Sequence, residues 1–264
     1  MKTLIVGKNS FIGKSAHRNI INAEKISYQD IDNVNLKNYD TILNCSMMDD
    51  YRNHAYSEDN DVDIKLARIA EQAKLHYVMI STRKVYGISN SLAKYHERSE
   101  LNPSDRYSEN KLITEYKIKE LTDCCTILRS SNVFGYEPGR KSFMGFCMNQ
   151  LIDTNKIVYD ISANSVRDFI DVDTFTKVLN HICQLKAKGL YNVGSNVGLS
   201  VGDVSRYLIK GYGSGEFIAD SDKLFDQFIL DNSKIKNHLG ISIDIIDFEN
   251  TIIEFGKKLY EDRK

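Results

Sequence analysis

Tryptophan is absent from the chain and proline occurs only twice, at Pro103 and Pro138. So little proline excludes a proline-rich linker or a collagen-like repeat, and no low-complexity tract or internal repeat interrupts the sequence. An excess of one charge is also missing. The 35 basic and 36 acidic residues leave a net charge of -1, which gives no electrostatic reason to expect nucleic acid or an anionic membrane as partner. No apolar run approaches the roughly 20 residues that span a bilayer. MKTLIV runs straight into a glycine turn, without the pattern of a cleaved leader. The expectation is a soluble, cytoplasmic protein. Cys45, Cys124, Cys125, Cys147 and Cys183 show no CxxC spacing, and the six histidines form no HExxH pattern. The cysteines therefore read as small buried hydrophobes in a reducing compartment, and no metal site is expected.

What is present suffices for one large domain or two small ones: 264 residues, 42% of them apolar, can bury a substantial core. Residues 2–6 read as a short buried strand ending at Gly7, followed by a helix from Phe11 to about Ile21. Further strands are expected over 25–28, 41–46 and 76–82 and from Cys125 onward, with helices over 61–74 and 105–121. Ser104 or Asp105 can cap the second of these helices. Strands alternating with helices predict an α/β fold, a Rossmann-type doubly wound parallel sheet with ligands at the carboxyl ends of its strands. The segments KIVYD and GLYNVG and a helix near 247–260 are more mixed, and suggest a smaller C-terminal substrate-binding lobe. The expected division is a dinucleotide-binding domain over 1–132, returning to the sheet around 166–194. The lobe then takes 133–165 and 195–264.

Two constellations carry chemistry. Gly7 and Gly13 bracket a strand-to-helix turn, where backbone N–H groups and the positive end of a helix dipole can meet a pyrophosphate. The spacing alone also fits a plain tight turn. Ser10 stands between them where a third glycine would allow closer approach, although its hydroxyl can donate to phosphate or cap the helix. Tyr107 and Lys111 form Y-x-x-x-K, which on a helix places both side chains on one face. An ammonium that close lowers a phenol's pKa by about 1–3 units, enough for acid–base work; solubility of a surface helix explains the same spacing. In ISTRKVYG, Thr82 adds a hydroxyl at a predicted strand end.

With GKNSFIG, STRKVYG and NPSDRYSENK in this order, the sequence resembles the extended short-chain dehydrogenase/reductases, the nucleotide-sugar epimerases, dehydratases and reductases. The likeness continues through LRSSNVFG, VRDFIDVD, GLYNVGSNVGLSVGDV and LDNSKIKNHLG. It implies NAD or NADP seated on Gly7, Ser10, Phe11, Ile12 and Gly13, with Lys111 at the nicotinamide ribose. It implies Tyr107 as proton donor or acceptor, Thr82 holding the reacting oxygen, Asn132 touching the sugar and Arg167 clamping the diphosphate of a nucleotide-sugar substrate. A homodimer paired through the 61–74 and 105–121 helices also follows by resemblance.

Departures refine this reading. The dehydratases carry an Asp-Glu pair after the strand-end threonine; here Arg83 and Lys84 stand there and cannot supply that acid. The chain looks short for an epimerase, with little room after Gly135. The first expectation is therefore a keto-sugar reductase of surface-polysaccharide synthesis. An NAD-retaining epimerase is the alternative, and a non-catalytic dinucleotide sensor stands third. Asp30 and Asp32 are possible ribose ligands, which would favour NAD, and no arginine stands nearby for a 2′-phosphate. Lys223 and Phe225 occupy the region where a base-contacting arginine is usual, so the nucleotide is not specified.

Overall fold

The computed structural model describes residues 1–263. In chain order its strands are β1 (Thr3–Val6), β2 (Ala23–Ile26), β3 (Thr41–Asn44), β4 (His76–Thr82), β5 (Ala93–Tyr95), β6 (Cys125–Ser130), β7 (Asn132–Phe134), β8 (Lys156–Tyr159), β9 (Val166–Asp171), β10 (Gly189–Val193), β11 (Gly198–Ser200), β12 (Glu216–Ala219) and β13 (Phe228–Leu230). The helices are α1 (Phe11–Asn19), α2 (Asp49–Asn53), α3 (Val62–Gln72), α4 (Arg106–Leu121), α5 (Phe143–Thr154), α6 (Val172–Leu185), α7 (Val201–Tyr212), α8 (Ser233–Leu239) and α9 (Phe248–Glu261).

Six strands form one parallel sheet in the order β10-β6-β4-β3-β1-β2. Both faces are covered, so β1 (TLIV) and β3 (TILN) are buried at every position and read as continuous rather than alternating runs. The order reverses at β1, with β2 on one side and β3 on the other. This is where a doubly wound sheet opens a crevice beyond its strand ends. Between β2 and β3 the chain makes only two 3-10 turns, Tyr28–Asn33 and Leu36–Asn38, so the sheet stops at β2.

Local chemistry sets the helices that face this crevice. Asp61 caps α3 by accepting from the Asp63 and Ile64 amides, and Val62, Leu66, Ala67 and Ala70 turn inward. Of the two cap candidates for α4, the structure uses Asp105, in a reciprocal box with Ser108. Strand β2 ends at Ile26, two residues earlier than the sequence pattern suggests.

The remaining strands build a smaller sheet, β11-β9-β13-β5, with β7 also on β9, and a β8–β12 pair. Helices α5, α7 and α9 pack with these around Phe134, Met148, Phe169, Leu208 and Ile252. Strand β9 thus joins the small sheet. The chain returns to the large one through α6, which packs on the α1 side, and β10. Helix α8 sends Ile235 into the core under the large sheet. No helix among the described residues is long and apolar enough to cross a membrane, and no group of three or more potential metal ligands is found among them.

Candidate active site

The turn after β1 packs tightly. A Cβ on Gly13 would lie 2.2 Å from the Gly7 carbonyl oxygen, and Gly7 itself has φ +108 with Cys45 backbone against it. Only glycine meets both demands. Ser10 answers the question its presence raises: its Oγ accepts from the Gly13 amide at 3.0 Å and caps α1. The backbone amides of Phe11 and Ile12, in the first turn of α1, find no acceptor among the described residues. Uncommitted donors at a helix N-terminus suit an anion. Phe11 and Ile12 line a cavity of about 380 Å³ together with Gly7, Ser10, Ile80, Tyr107 and Lys111. The site therefore fits a dinucleotide's pyrophosphate.

Lys111 lies deep in that cavity, 4% exposed. Its Nζ donates to Asp63 Oδ2 at 2.9 Å and to the Ile80 carbonyl at 3.0 Å. Burial works against the ammonium, but Asp63, Tyr51 and Tyr107 outweigh it and hold the Lys111 pKa above its ordinary value. Asp63 is itself held by Asn44 Nδ2 at 2.8 Å and the Tyr77 hydroxyl at 2.6 Å. Tyr107, the second residue of α4, stands on the wall between this cavity and a larger one of about 1010 Å³. The Arg52 guanidinium lies 5.1 Å from its ring centre.

The larger cavity brings Thr82, Asn132 and Arg167 together with Tyr107. Thr82 Oγ1 accepts from the Lys84 amide at 3.2 Å, which leaves its hydroxyl proton to donate. Arg83 and Lys84 are both engaged: Arg83 grips Asp226 through both terminal nitrogens, at 2.7 and 2.5 Å, and Lys84 pairs with Asp105 at 2.7 Å. Arg167 approaches Asp226 only to 3.9 Å, its Nε is buried without a hydrogen bond, and it lies over Phe143. Burial lowers its pKa from the usual guanidinium value, with Asp226 opposing and Arg83 adding to the effect. Counted over the cavity wall, seven basic side chains meet three carboxylates. An anionic ligand complements that imbalance.

The ribose expectation needs correction. Asp30 and Asp32 do not line the cavity; they pair with Lys8 at 3.5 Å and Lys65 at 3.0 Å. Because β2 stops at Ile26, Ser27 and Tyr28 occupy the place those carboxylates were expected to fill. Lys223 and Phe225 likewise lie off the cavity wall, while their neighbour Asp226 is on it. Asp63, Asp226 and Arg140 were missed by motif reading. For Arg140 a signal existed, since Pro138-Gly139 marks a turn just before it.

The RmlD substrate binding domain pattern matches residues 34–209, about two thirds of the chain. The chain belongs to the RmlD substrate binding domain family. No curated protein matches this RmlD-family chain. Among solved structures, it is similar to a dTDP-glucose 4,6-dehydratase from Bacillus anthracis in complex with NAD, at 17% identity over 99% of this chain and 97% of that one, TM-score 0.79. A UDP-N-acetylglucosamine 4-epimerase from Methanobrevibacter ruminantium with UDP-N-acetylmuramic acid matches at 16% identity over 99% and 98%, TM-score 0.79. RMD from Pseudomonas aeruginosa with NADPH matches at 15% identity over 99% and 100%, TM-score 0.79. All three matches span nearly the whole of both chains.

Proposed function

We propose that this protein is an NAD(P)-dependent nucleotide-sugar oxidoreductase that reduces a keto group of a nucleotide-linked 6-deoxy sugar for surface-polysaccharide synthesis. One observation carries the reading: Tyr107 stands where the cavity of the glycine turn meets the cationic cleft. Bound there, a nicotinamide would supply or accept the hydride. Around it, Tyr107 delivers the proton to the oxygen being reduced, and Thr82 donates a hydrogen bond that holds that oxygen in place. Lys111, seated by Asp63, presents its remaining donor to the ribose. Asn132 meets the sugar, and Arg167 takes the diphosphate with a fork matched to two oxygens.

Retention of the cofactor through a cycle would make the same residues an epimerase site, and full-length likeness to an epimerase supports that second reading. Dehydration is disfavoured, because both positions after Thr82 are cations already tied to carboxylates. Pairing of two copies through α3 and α4, whose Ile113 and Tyr116 are exposed, belongs to the same proposal. The deciding experiment incubates the protein with NADPH or NADH and a panel of nucleotide-linked 4-keto-6-deoxy sugars, following absorbance of the reduced cofactor. Stoichiometric oxidation is the expected result, and interconversion without net oxidation would instead establish the epimerase. Tyr107→Phe should cost about 10²- to 10⁴-fold in rate; an unaffected variant would overturn catalysis altogether.

A further inference from the structure

Every residue lining the cavity of the glycine turn comes from positions 7–111 except one, Arg140, which also lines the larger cavity beside it. Its placement is built. Glu137, Pro138, Gly139 and Arg140 form a turn in which the Arg140 amide donates to the Glu137 carbonyl at 3.2 Å and Gly139 has φ +83. Proline in the second place and a positive-φ glycine in the third are what a type II turn requires. The Gly139 amide donates to Asn149 Oδ1 at 2.8 Å, tying the turn to α5. A Cβ on Gly145 would lie 2.2 Å from the Arg140 carbonyl, so the start of α5 presses directly on this backbone. The side chain is aimed as well. Its guanidinium lies 4.3 Å from the centre of the Phe11 ring, at the first position of α1, and pairs with Glu137, whose own side chain is 3% exposed.

The opposite wall explains why a cation belongs there. Ser10 accepts from the Gly13 amide in the α1 cap, keeps one hydroxyl proton to donate, and carries a Cβ where glycine would allow closer approach. Beside that hydroxyl, this side offers the amides of the first α1 turn, Asn9, and Lys8, which also pairs with Asp30 at 3.5 Å. A planar guanidinium that spends only one terminal nitrogen on Glu137 keeps two parallel donors for a phosphate.

We propose that Arg140 is a phosphate contact for the dinucleotide, closing the Gly7–Gly13 turn from the other lobe. It rests on the NAD(P) reading above. The test titrates wild type, Arg140→Gln and Arg140→Lys calorimetrically with NADPH, NADH, ADP and adenosine. Wild type should bind the first three. Arg140→Gln should weaken ADP and both dinucleotides by about 10- to 100-fold, the range of a lost charge-assisted contact. Adenosine, which has no phosphate, should be unaffected, and lysine should recover part of the loss. Phe11→Leu, which removes the stacking ring but no charge, should weaken ADP less than Arg140→Gln does. Equal ADP binding by wild type and Arg140→Gln would overturn this proposal alone. Equal losses for ADP and adenosine would also overturn it, since the damage would then lie outside the phosphate subsite. Wild type that binds none of the four would overturn the cofactor reading and this proposal together.

Discussion

The two halves of the site handle buried charge differently. On the sheet side, Lys111 and Asp63 are both 5% exposed at the side chain and meet at 2.9 Å, with Asn44 and Tyr77 filling the carboxylate's other positions. Arg129 and Glu115, between β6 and α4, are matched in the same way at 2.7 Å. On the cleft side, two arginines share Asp226. Arg83 takes it bidentately and Arg167 is left with a buried, unbonded Nε. One half is a closed network that fixes a side chain. The other keeps a cation in surplus, which an anionic ligand would complement.

The largest effect is expected from breaking the closed network. Asp63→Ala would leave the Lys111 ammonium buried without a counter-charge and strand the Asn44 and Tyr77 donors. Removing one partner of a buried pair costs about 3–5 kcal/mol, so urea unfolding should show a loss of that order. A loss below about 1 kcal/mol would mean that Lys111 relaxes to solvent and that the network does not fix it.

Next in size is a contrast in pH dependence. In the large sheet, burial depresses His76 to about 4. The unfolded chain takes this proton near pH 6.5, so between about 6.5 and 4 it holds more protons than the native state, and stability falls as pH falls. In the small sheet, burial pushes Asp168 up to about 6, against hydrogen bonds donated by Leu230, Ser195 and Asn196. Here the native state holds the extra proton between about 6 and 4, so stability rises as pH falls. The two terms oppose each other. His76→Asn should remove about 3 kcal/mol of acid-side loss, measured as the slope of unfolding free energy against pH. An unchanged slope would show that His76 is not the titrating group.

How much of this could be read from residues depends on range. The glycine turn, Y-x-x-x-K and the Asp105 cap are local, and local spacing placed them near their observed positions. Asn132 and Arg167 came from ordered likeness to a family, and they line one cleft with Thr82 and Tyr107. Asp63 was invisible because its partner Lys111 lies 48 positions away, and Asp226 lies 143 positions from Arg83. Pairings at such range are set by topology, and an aspartate inside a helix or loop looks like any solvated charge. Asp30 and Asp32 failed for the opposite reason. Their type was right for a ribose, but β2 ended sooner than its apolar pattern suggested, and this placed Ser27 and Tyr28 at the cavity instead.

The smallest effect, and the sharpest use of the contrast, lies in the cleft. Arg83 neutralises Asp226 and so keeps Arg167 available. In Arg83→Leu, Asp226 is released and lies 3.9 Å from Arg167 Nε, close enough to capture it. Capture would cost the ligand its cation, and nucleoside diphosphate affinity should fall by about 10-fold, equivalent to about 1.4 kcal/mol. Adding Asp226→Asn to Arg83→Leu removes the captor and should restore most of the affinity, since Arg167 is again uncompensated. Calorimetric titration with UDP and dTDP on wild type and both variants measures this. If the double variant binds no better than Arg83→Leu, then Arg83 contributes packing on the Phe228 ring, 4.0 Å from its guanidinium, rather than control of charge.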